Sequence, residues 1–175
     1  MTRYPILLGL LILMVSCAGL TPQRPPGFET YTAVVLAVRP DTAGDAAQAG
    51  ALHDRLAAAL EERRLFASVR AAEEAAAGSG LILEIGITRL RKVPDVQRIA
   101  LGRMAGSNEI AADVVVKDGA TRQVLSRFAL AGESPEYPPG SDWPWGSVEA
   151  AMDRLAAQLV RIVLKWKQAT PPEPR

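Results

Sequence analysis

The alternation of hydrophobic and polar positions divides the chain into several strands and two long helices. Continuous apolar runs are typical of interior strands, whereas strict alternation is typical of strands with one buried face. The strand-length segments are residues 31–38, 81–93, 108–117 and 124–131, with a very short strand expected at Val69. The first is a continuous run and predicts a buried central strand. The last two are joined by an Asp-Gly turn, which predicts an antiparallel meander.

Two segments repeat apolar residues at helical spacing. The first opens at Asp45, which forms a capping box with Gln48, and runs to about Phe66. The second follows Ser147 as N-cap and runs to about Lys167. The apolar stripe of this second helix can pack on the sheet of the same chain or on a partner helix in a coiled coil. We expect it to pack on the sheet of the same chain. The stripe residues are Val148, Met152, Leu155, Leu159, Ile162 and Trp166. The order of elements predicts an α+β fold, a small mixed or antiparallel sheet of four to five strands with two helices packed on one face.

The N-terminal pattern is that of a targeting segment and not of a fold. Arg3 is followed by an apolar run from Pro5 to Val15, which would rise only about 16 Å as a helix and is too short to cross a bilayer. Such a run is typical of a signal peptide. The predicted organisation is therefore a signal peptide (1–16), a tether that begins at Cys17 (17–30), one α+β domain (31–168) and a disordered tail (169–175).

The sequence Met14-Val15-Ser16-Cys17 resembles the lipobox of bacterial lipoproteins. That resemblance implies cleavage before Cys17 and attachment of fatty acyl chains such as palmitate, which would hold the protein to a membrane. Ala18 follows, where an Asp favours retention in the inner membrane, so the resemblance implies the periplasmic face of the outer membrane. The alternative is a cysteine buried in a core. Cys17 is the only cysteine, so no intramolecular disulfide is possible.

Composition narrows the class of protein. The chain has 175 residues, 49% of them hydrophobic and 22% charged, with a net charge of +1. These values exclude a collagen, a disulfide scaffold, a disordered chain and a polytopic membrane protein. They give no electrostatic case for binding nucleic acid.

No motif for catalysis or for a cofactor emerges. The single histidine, His53, is expected to be a solvated surface residue, and without a second histidine or a free cysteine the usual zinc sites cannot be built. No metal site and no cofactor are predicted. Glu84 and Asp113 can be neighbours on adjoining strands, which leaves open an enzyme acting on envelope polysaccharide or peptidoglycan. Exposed cross-strand pairs of this kind are more often structural, so we expect a protein that is not an enzyme.

Two stretches are candidates for partner binding. Residues 89–106 are rich in basic side chains, including Arg98 and Arg103, interleaved with apolar residues. This predicted hairpin tip suits anionic headgroups or an acidic partner, or it simply completes the core. Residues 134–145 hold Tyr137, Trp143 and Trp145 among four prolines. These aromatic residues can anchor a partner or cap the core before the last helix.

The element order and four short segments resemble the envelope lipoproteins that contain domain of unknown function 4410. The segments are residues 65–69, 81–88, 98–106 and 118–125. Arg122 stands where the family often has glycine. The resemblance implies a fold akin to the N-terminal domain of TolB and implies no known activity. We therefore expect an outer-membrane lipoprotein that binds an envelope protein partner in assembly or maintenance of the cell envelope, or else an accessory subunit of a secretion or efflux assembly.

Overall fold

The computed structural model describes residues 22–40, 46–72, 80–101, 106–135 and 146–169. The predicted signal peptide, Cys17 and almost all of the predicted tail lie outside these ranges. In chain order, a 3-10 turn at Phe28–Thr30 is followed by β1 (Ala33–Pro40), α1 (Ala46–Glu62), β2 (Ser68–Ala71), β3 (Leu81–Arg91), α2 (Asp95–Leu101), β4 (Glu109–Asp118), β5 (Val124–Glu133) and α3 (Val148–Gln168).

The five strands form one mixed sheet in the order β2-β1-β3-β4-β5. β1 runs parallel to both of its neighbours, β2 and β3. β3, β4 and β5 are antiparallel to one another, which confirms the predicted meander. The predicted α+β fold with helices packed against a small mixed sheet is therefore confirmed.

The core lies between the sheet and the two long helices. The inward residues of the strands are fully buried, among them Leu36, Leu83, Ile85 and Ile110, and they meet leucines of α1 and α3. β1 is an interior strand, but only Val34 and Leu36 of its apolar run are fully buried. The predicted central position is confirmed, but the strand is buried on one face alone, because α1 and α3 lie side by side on that face, where Arg55 and Asp153 bridge them at 3.3 Å.

The final helix packs on the sheet of its own chain, as predicted, and Ser147 caps it by accepting from the backbone N–H of Ala150. Its buried face is broader than the predicted stripe and includes Ala151, Ala156 and Val163. Small residues are needed where α3 crosses β5. A Cβ on Gly132 would overlap the carbonyl oxygen of Ala151 and lie 2.9 Å from the Leu155 nitrogen, so only glycine fits there.

An aromatic cluster closes the end of the domain at which the described residues begin. Phe28 is fully buried and meets Phe66 and Trp166 edge to face, with ring centroids 6.2 Å and 5.2 Å away. The Lys167 ammonium lies 4.9 Å from the Phe66 ring centroid and donates to the carbonyl of Tyr31 at 2.7 Å. We call this region, together with the β4–β5 turn, the tether end. The hydrophobic core thus begins at Phe28, three residues before the predicted start of the domain.

The β4–β5 turn keeps the backbone of a glycine turn although it contains arginine. Arg122 has φ 61, in the left-handed region that favours glycine, and its N–H donates to the Asp118 carbonyl at 2.9 Å. Asp118 also accepts from the backbone N–H groups of Ala120 and Thr121. These bonds hold the turn in shape and keep Arg122 in the left-handed conformation, which is strained for a residue that carries a Cβ.

Candidate partner-binding end of the domain

The two stretches that the sequence analysis selected for partner binding start and finish at the same end of the sheet. The first lies between the end of β3 and the start of β4, and the second lies between the end of β5 and the start of α3. Glu109 is paired with both Arg91 and Glu133 in the sheet, which places these strand ends side by side. We call this the distal end, because the full length of β3, about 35 Å, separates it from the tether end.

One buried side chain, Asn108, connects the boundaries of both stretches. Its side-chain oxygen accepts from the N–H of Val93 at 2.7 Å, and its side-chain nitrogen donates to the carbonyl of Gly146. Its backbone N–H donates to the Ser134 hydroxyl at 3.0 Å, and its carbonyl accepts from the Ser134 N–H. A buried amide with this many partners fixes the geometry of everything joined to it. Asn108 therefore sets the spacing of the two stretches at the distal end.

The predicted basic hairpin tip is partly helical. Residues Asp95–Leu101 form the short helix α2, which the sequence analysis missed because a single turn or two has too few positions to show a period. Val96 is 77% exposed and Leu101 is 52% exposed. Two large apolar side chains on one short helix are therefore in contact with solvent at the tip of the domain.

Part of the positive charge of this tip is neutralised in the fold. Arg89 forms an ion pair with Glu109 at 3.1 Å, and Glu109 lies three residues beyond the basic stretch 89–106. Arg91 and Lys92 are exposed. Arg98 belongs to α2, whereas Arg103 lies outside the described residues. The tip therefore combines exposed apolar side chains with two exposed cations.

A groove of about 550 Å³ runs between the first turns of α1 and α3 at this end. Val93, Pro94 and Met152 give it apolar walls, and Lys92 and Glu149 provide opposite charges. The pKa of Glu149 is lowered, first by its own backbone N–H in the first turn of α3, then by the Ser147 side chain, and also by Arg55 and Lys92. Glu149 is therefore an anion beside Lys92, and the groove suits a partner with an apolar side chain between polar groups.

The predicted aromatic anchors Tyr137, Trp143 and Trp145 lie outside the described residues. The residues that flank them, Ser134 and Gly146, are both bonded to Asn108. The aromatic stretch thus starts and ends next to the α2 tip, and its role in binding remains a prediction.

The carboxylates considered for catalysis are on the open face of the sheet, but they do not form a pair of free acids. Gly86 is opposite Asp113, and Glu84 is opposite Val115. The Glu84 carboxylate accepts from Lys117 at 2.6 Å and borders a crevice, whereas Asp113 is exposed. A dyad of two carboxylates facing one substrate is therefore not assembled.

His53 differs from the expected solvated residue. Its side chain is only 27% exposed, and its Nδ1 lies 3.2 Å from the Asp54 carboxylate. Its Nε2 is buried without a hydrogen-bond partner. In the described ranges, no group of three or more histidine, cysteine or acidic side chains is placed to hold a metal ion.

None of the helices in the described parts of the chain is both long and apolar enough to cross a membrane.

Sequence reasoning did not identify Asn108, the residue that joins the two binding stretches. Its position gave no signal, since an asparagine directly before an alternating strand is more often a turn residue than a buried one. Its burial depends on Val93 and Gly146, which are far from it in sequence, so no local pattern could reveal it.

The chain resembles known proteins in fold and in one family model. PelC of Paraburkholderia phytofirmans, solved as a dodecamer, superposes with a TM-score of 0.58 at 16% identity, covering 86% of this chain and 98% of PelC. A single-residue variant of that dodecamer gives 0.59 at 13% identity, over 82% and 96% of the two chains. Lipoprotein GNA1162 of Neisseria meningitidis gives 0.41 at 13% identity over 77% and 96%, too low to support a conclusion.

These identities establish a shared fold alone. None of the curated protein sequences is significantly similar to the chain. The family model for the domain of unknown function DUF4410 matches residues 41–135, which run from the β1–α1 connection to the end of β5. Since that match covers more than half of the chain, the protein belongs to the DUF4410 family.

Proposed function

We propose that the protein is a lipoprotein held to the periplasmic face of the outer membrane through Cys17, and that it binds an envelope protein partner with its distal end without catalysing a reaction. Its role is the assembly or maintenance of the cell envelope. The observation that carries this proposal is the position of α2. The exposed Val96 and Leu101 lie at the opposite end of the sheet from the residues that follow the predicted tether.

The tether end suits attachment. Phe28 is buried in the aromatic cluster only eleven residues after Cys17, and an extended stretch of that length reaches about 36 Å. A domain attached at this point would remain close to the membrane. Its distal end would face the periplasm, where exposed apolar side chains flanked by cations are available to a partner.

The anchoring part of the proposal is tested by fractionation. The wild-type chain is expected in the membrane fraction after a high-salt wash, and Cys17→Ala is expected in the soluble periplasmic fraction. Retention of Cys17→Ala in washed membranes would contradict attachment through lipid.

The binding part is tested by crosslinking and co-purification from native membranes. Val96→Asp and the double variant of Arg98 and Arg103 to Glu are expected to reduce recovery of the partner at least tenfold, because they remove the apolar and cationic groups of the tip. Trp143→Ala should also reduce recovery without lowering the melting temperature. Gln123→Asp, at an exposed position of the tether end, is the matched control and should recover the partner normally.

Self-assembly as an accessory subunit of a larger secretion or efflux complex is the second candidate. PelC, which shares the fold, was solved as a dodecamer. In this chain β5 is the edge of the sheet in the described structure, and Val124 on it is 38% exposed. An unpaired strand of this length is a surface on which copies can associate. Native mass spectrometry of the detergent-solubilised full-length chain would show oligomers if this candidate is correct and only monomers if it is wrong.

A further inference from the structure

A crevice of about 540 Å³ opens beside the last residues of β1, beyond the point where β2 ends. One wall is the N-terminal half of α1, including Gly50 and His53, and the opposite side includes Arg39 and Glu84. A volume of this size is typical of ligand sites. The crevice thus lies between a helix and the side of β1 that, in the described part of the chain, has no neighbouring strand beyond the end of β2.

The register of the sheet shows which backbone groups face this crevice. The Thr32 carbonyl accepts from the N–H of Ala67 on the β2 side, and the Ala33 carbonyl lies on the β3 side, near Gly80. Since backbone groups alternate along a strand, even-numbered residues of β1 point both groups towards β2. β2 ends at Ala71, opposite Leu36. The N–H and carbonyl of Val38 therefore point past the end of β2, into the crevice.

Two polar side chains of the crevice have no partner among the residues that the structure describes. Arg39 is exposed and forms no ion pair with a described residue. The buried Nε2 of His53 accepts and donates no hydrogen bond. Glu84 carries the opposite charge, but Lys117 neutralises it at 2.6 Å. Among the described residues, no acidic side chain pairs with the positive charge of Arg39 in this crevice. Buried polar atoms without partners, such as His53 Nε2, are rare enough in native proteins to suggest a missing ligand.

We propose that this crevice binds an extended peptide segment of a partner protein, which adds to the free side of β1 as a short parallel or antiparallel strand and places a carboxylate at Arg39. The proposal goes beyond the function proposed above, because it concerns a different surface and does not depend on acylation of Cys17.

An extended peptide fits better than a small anion. A backbone donor and acceptor on one residue are what a strand recognises when it joins the edge of a sheet. The free part of β1, Ala37–Pro40, is about 13 Å long, which matches four residues of extended chain. The walls carry small residues, including Ala46, Gly50 and Ala71, and so leave room for the side chains of the peptide.

The first test is amide hydrogen exchange by NMR on the full-length chain in detergent micelles. The probe is a pool of N-acetylated hexapeptides with alanine, valine or threonine at five positions and a free C-terminal aspartate. The Val38 amide is expected to exchange quickly in the free protein and at least about tenfold more slowly with the pool. The amides of Ala37 and Arg39 face β3 and should be protected in both states. A Val38 amide that is already protected without peptide would overturn the proposal.

The second test measures affinity by fluorescence anisotropy of the same labelled pool. Arg39→Gln is expected to weaken binding about tenfold or more, as is replacement of the aspartate by an amidated asparagine, because each removes one partner of a charge-assisted bond. Arg127→Gln, an exposed arginine on β5, is the control and should bind normally.

Gly50→Leu blocks the crevice without disturbing the core, since no atom lies within 4 Å of a Cβ at this position. It should abolish binding while the melting temperature stays the same or rises, whereas Ala47→Leu on the same helix should bind as the wild type does. Absence of binding, equal affinity for the acidic and amidated pools, or normal binding by Gly50→Leu would each overturn the proposal.

Discussion

The hydroxyl of Tyr31 donates a hydrogen bond to the carboxylate of Asp118 at 2.7 Å, across 87 positions of the sequence. The bond joins the segment that precedes β1 to the β4–β5 turn. Tyr31 in turn accepts from Lys167 through its carbonyl, so three separate parts of the chain meet at one residue. This connection explains how a short N-terminal segment is held firmly at the tether end.

The first prediction concerns the acid stability of this connection. The backbone N–H of Thr121, followed by the hydroxyls of Tyr31 and Thr121, lowers the pKa of Asp118 from 3.8 to about 2. A carboxyl whose pKa is lower in the folded state adds stability above its unfolded pKa and loses it on acidification. The advantage in melting temperature of the wild type over Asp118→Asn should therefore be complete above about pH 4 and shrink towards pH 2. A difference in melting temperature that stays constant over this pH range would contradict the lowered pKa of Asp118.

The same pair, Tyr31 and Asp118, gives a second prediction, for stability at alkaline pH. Burial, with the hydrogen bond and charge of Asp118, raises the pKa of Tyr31 from 10.0 to about 12. The neutral phenol is the form that the fold stabilises, so this contribution is present below about pH 10 and is lost as the pH rises towards 12. Tyr31→Phe should lower the melting temperature by about 2–4 °C at neutral pH. The ionisation of the Tyr31 phenol is followed by spectrophotometric titration. If the phenol ionises near pH 10, the hydrogen bond to Asp118 is absent in solution.

The crossing of α3 over β5 gives a third prediction. Gly132→Ala should reduce the free energy of unfolding by about 3 kcal/mol, because a Cβ overlaps the backbone of α3 and the helix must move. Gly50→Ala is the matched control, since it lies in α1 with open space around it and should stabilise by about 0.5–1 kcal/mol. Urea unfolding of both variants measures the difference. Equal effects in the two would mean that α3 does not approach β5 this closely.

The turn at Arg122 gives a fourth prediction. Replacement by glycine removes the cost of a left-handed arginine and should stabilise the protein by about 0.5–1 kcal/mol. Arg127→Gly, in the extended strand β5, should destabilise instead, because glycine has no such advantage there. Denaturation midpoints of the two variants should therefore move in opposite directions.

The fifth prediction tests the role of Asn108. Asn108→Ala removes the acceptor of the Val93 N–H and the donor to the Gly146 carbonyl, and should cost about 2–4 kcal/mol. Asn108→Asp keeps the acceptor and serves as the conservative comparison. Exchange of the Ser134 and Val93 amides should accelerate more in Asn108→Ala than exchange of the amides in the middle of β3. Uniform acceleration throughout the sheet would indicate a general loss of stability in place of a local connection.

The strands and long helices could be predicted from the sequence because each has a strong local period. Leu83, Ile85 and Ile87 alternate with exposed or half-buried residues, and the structure places them in the core. The family was also predictable, because short segments such as residues 81–88 of β3 and the turn at 118–125 carry its signatures in the sequence itself. Parallel pairing of β1 with both β2 and β3 was not, because strand order depends on contacts between distant segments.

The candidate site was only partly predictable. The basic and aromatic stretches could be identified from their local composition. The hydrogen bonds of Asn108 that bring the boundaries of these stretches together involve residues up to 38 positions away. The crevice beside Val38 depends on where β2 stops relative to β1. No residue type marks that position, so only the register of the sheet reveals it.

Photocrosslinking in living cells distinguishes a partner bound at the distal end from one bound at the tether end. A photoreactive amino acid is placed at Val96 or, for comparison, at Thr121. We expect a discrete adduct from position 96 that is absent from position 121 and is reduced when Cys17→Ala releases the protein from the membrane. Adducts from position 121 alone, or the same adducts from both positions, would contradict binding at the distal end.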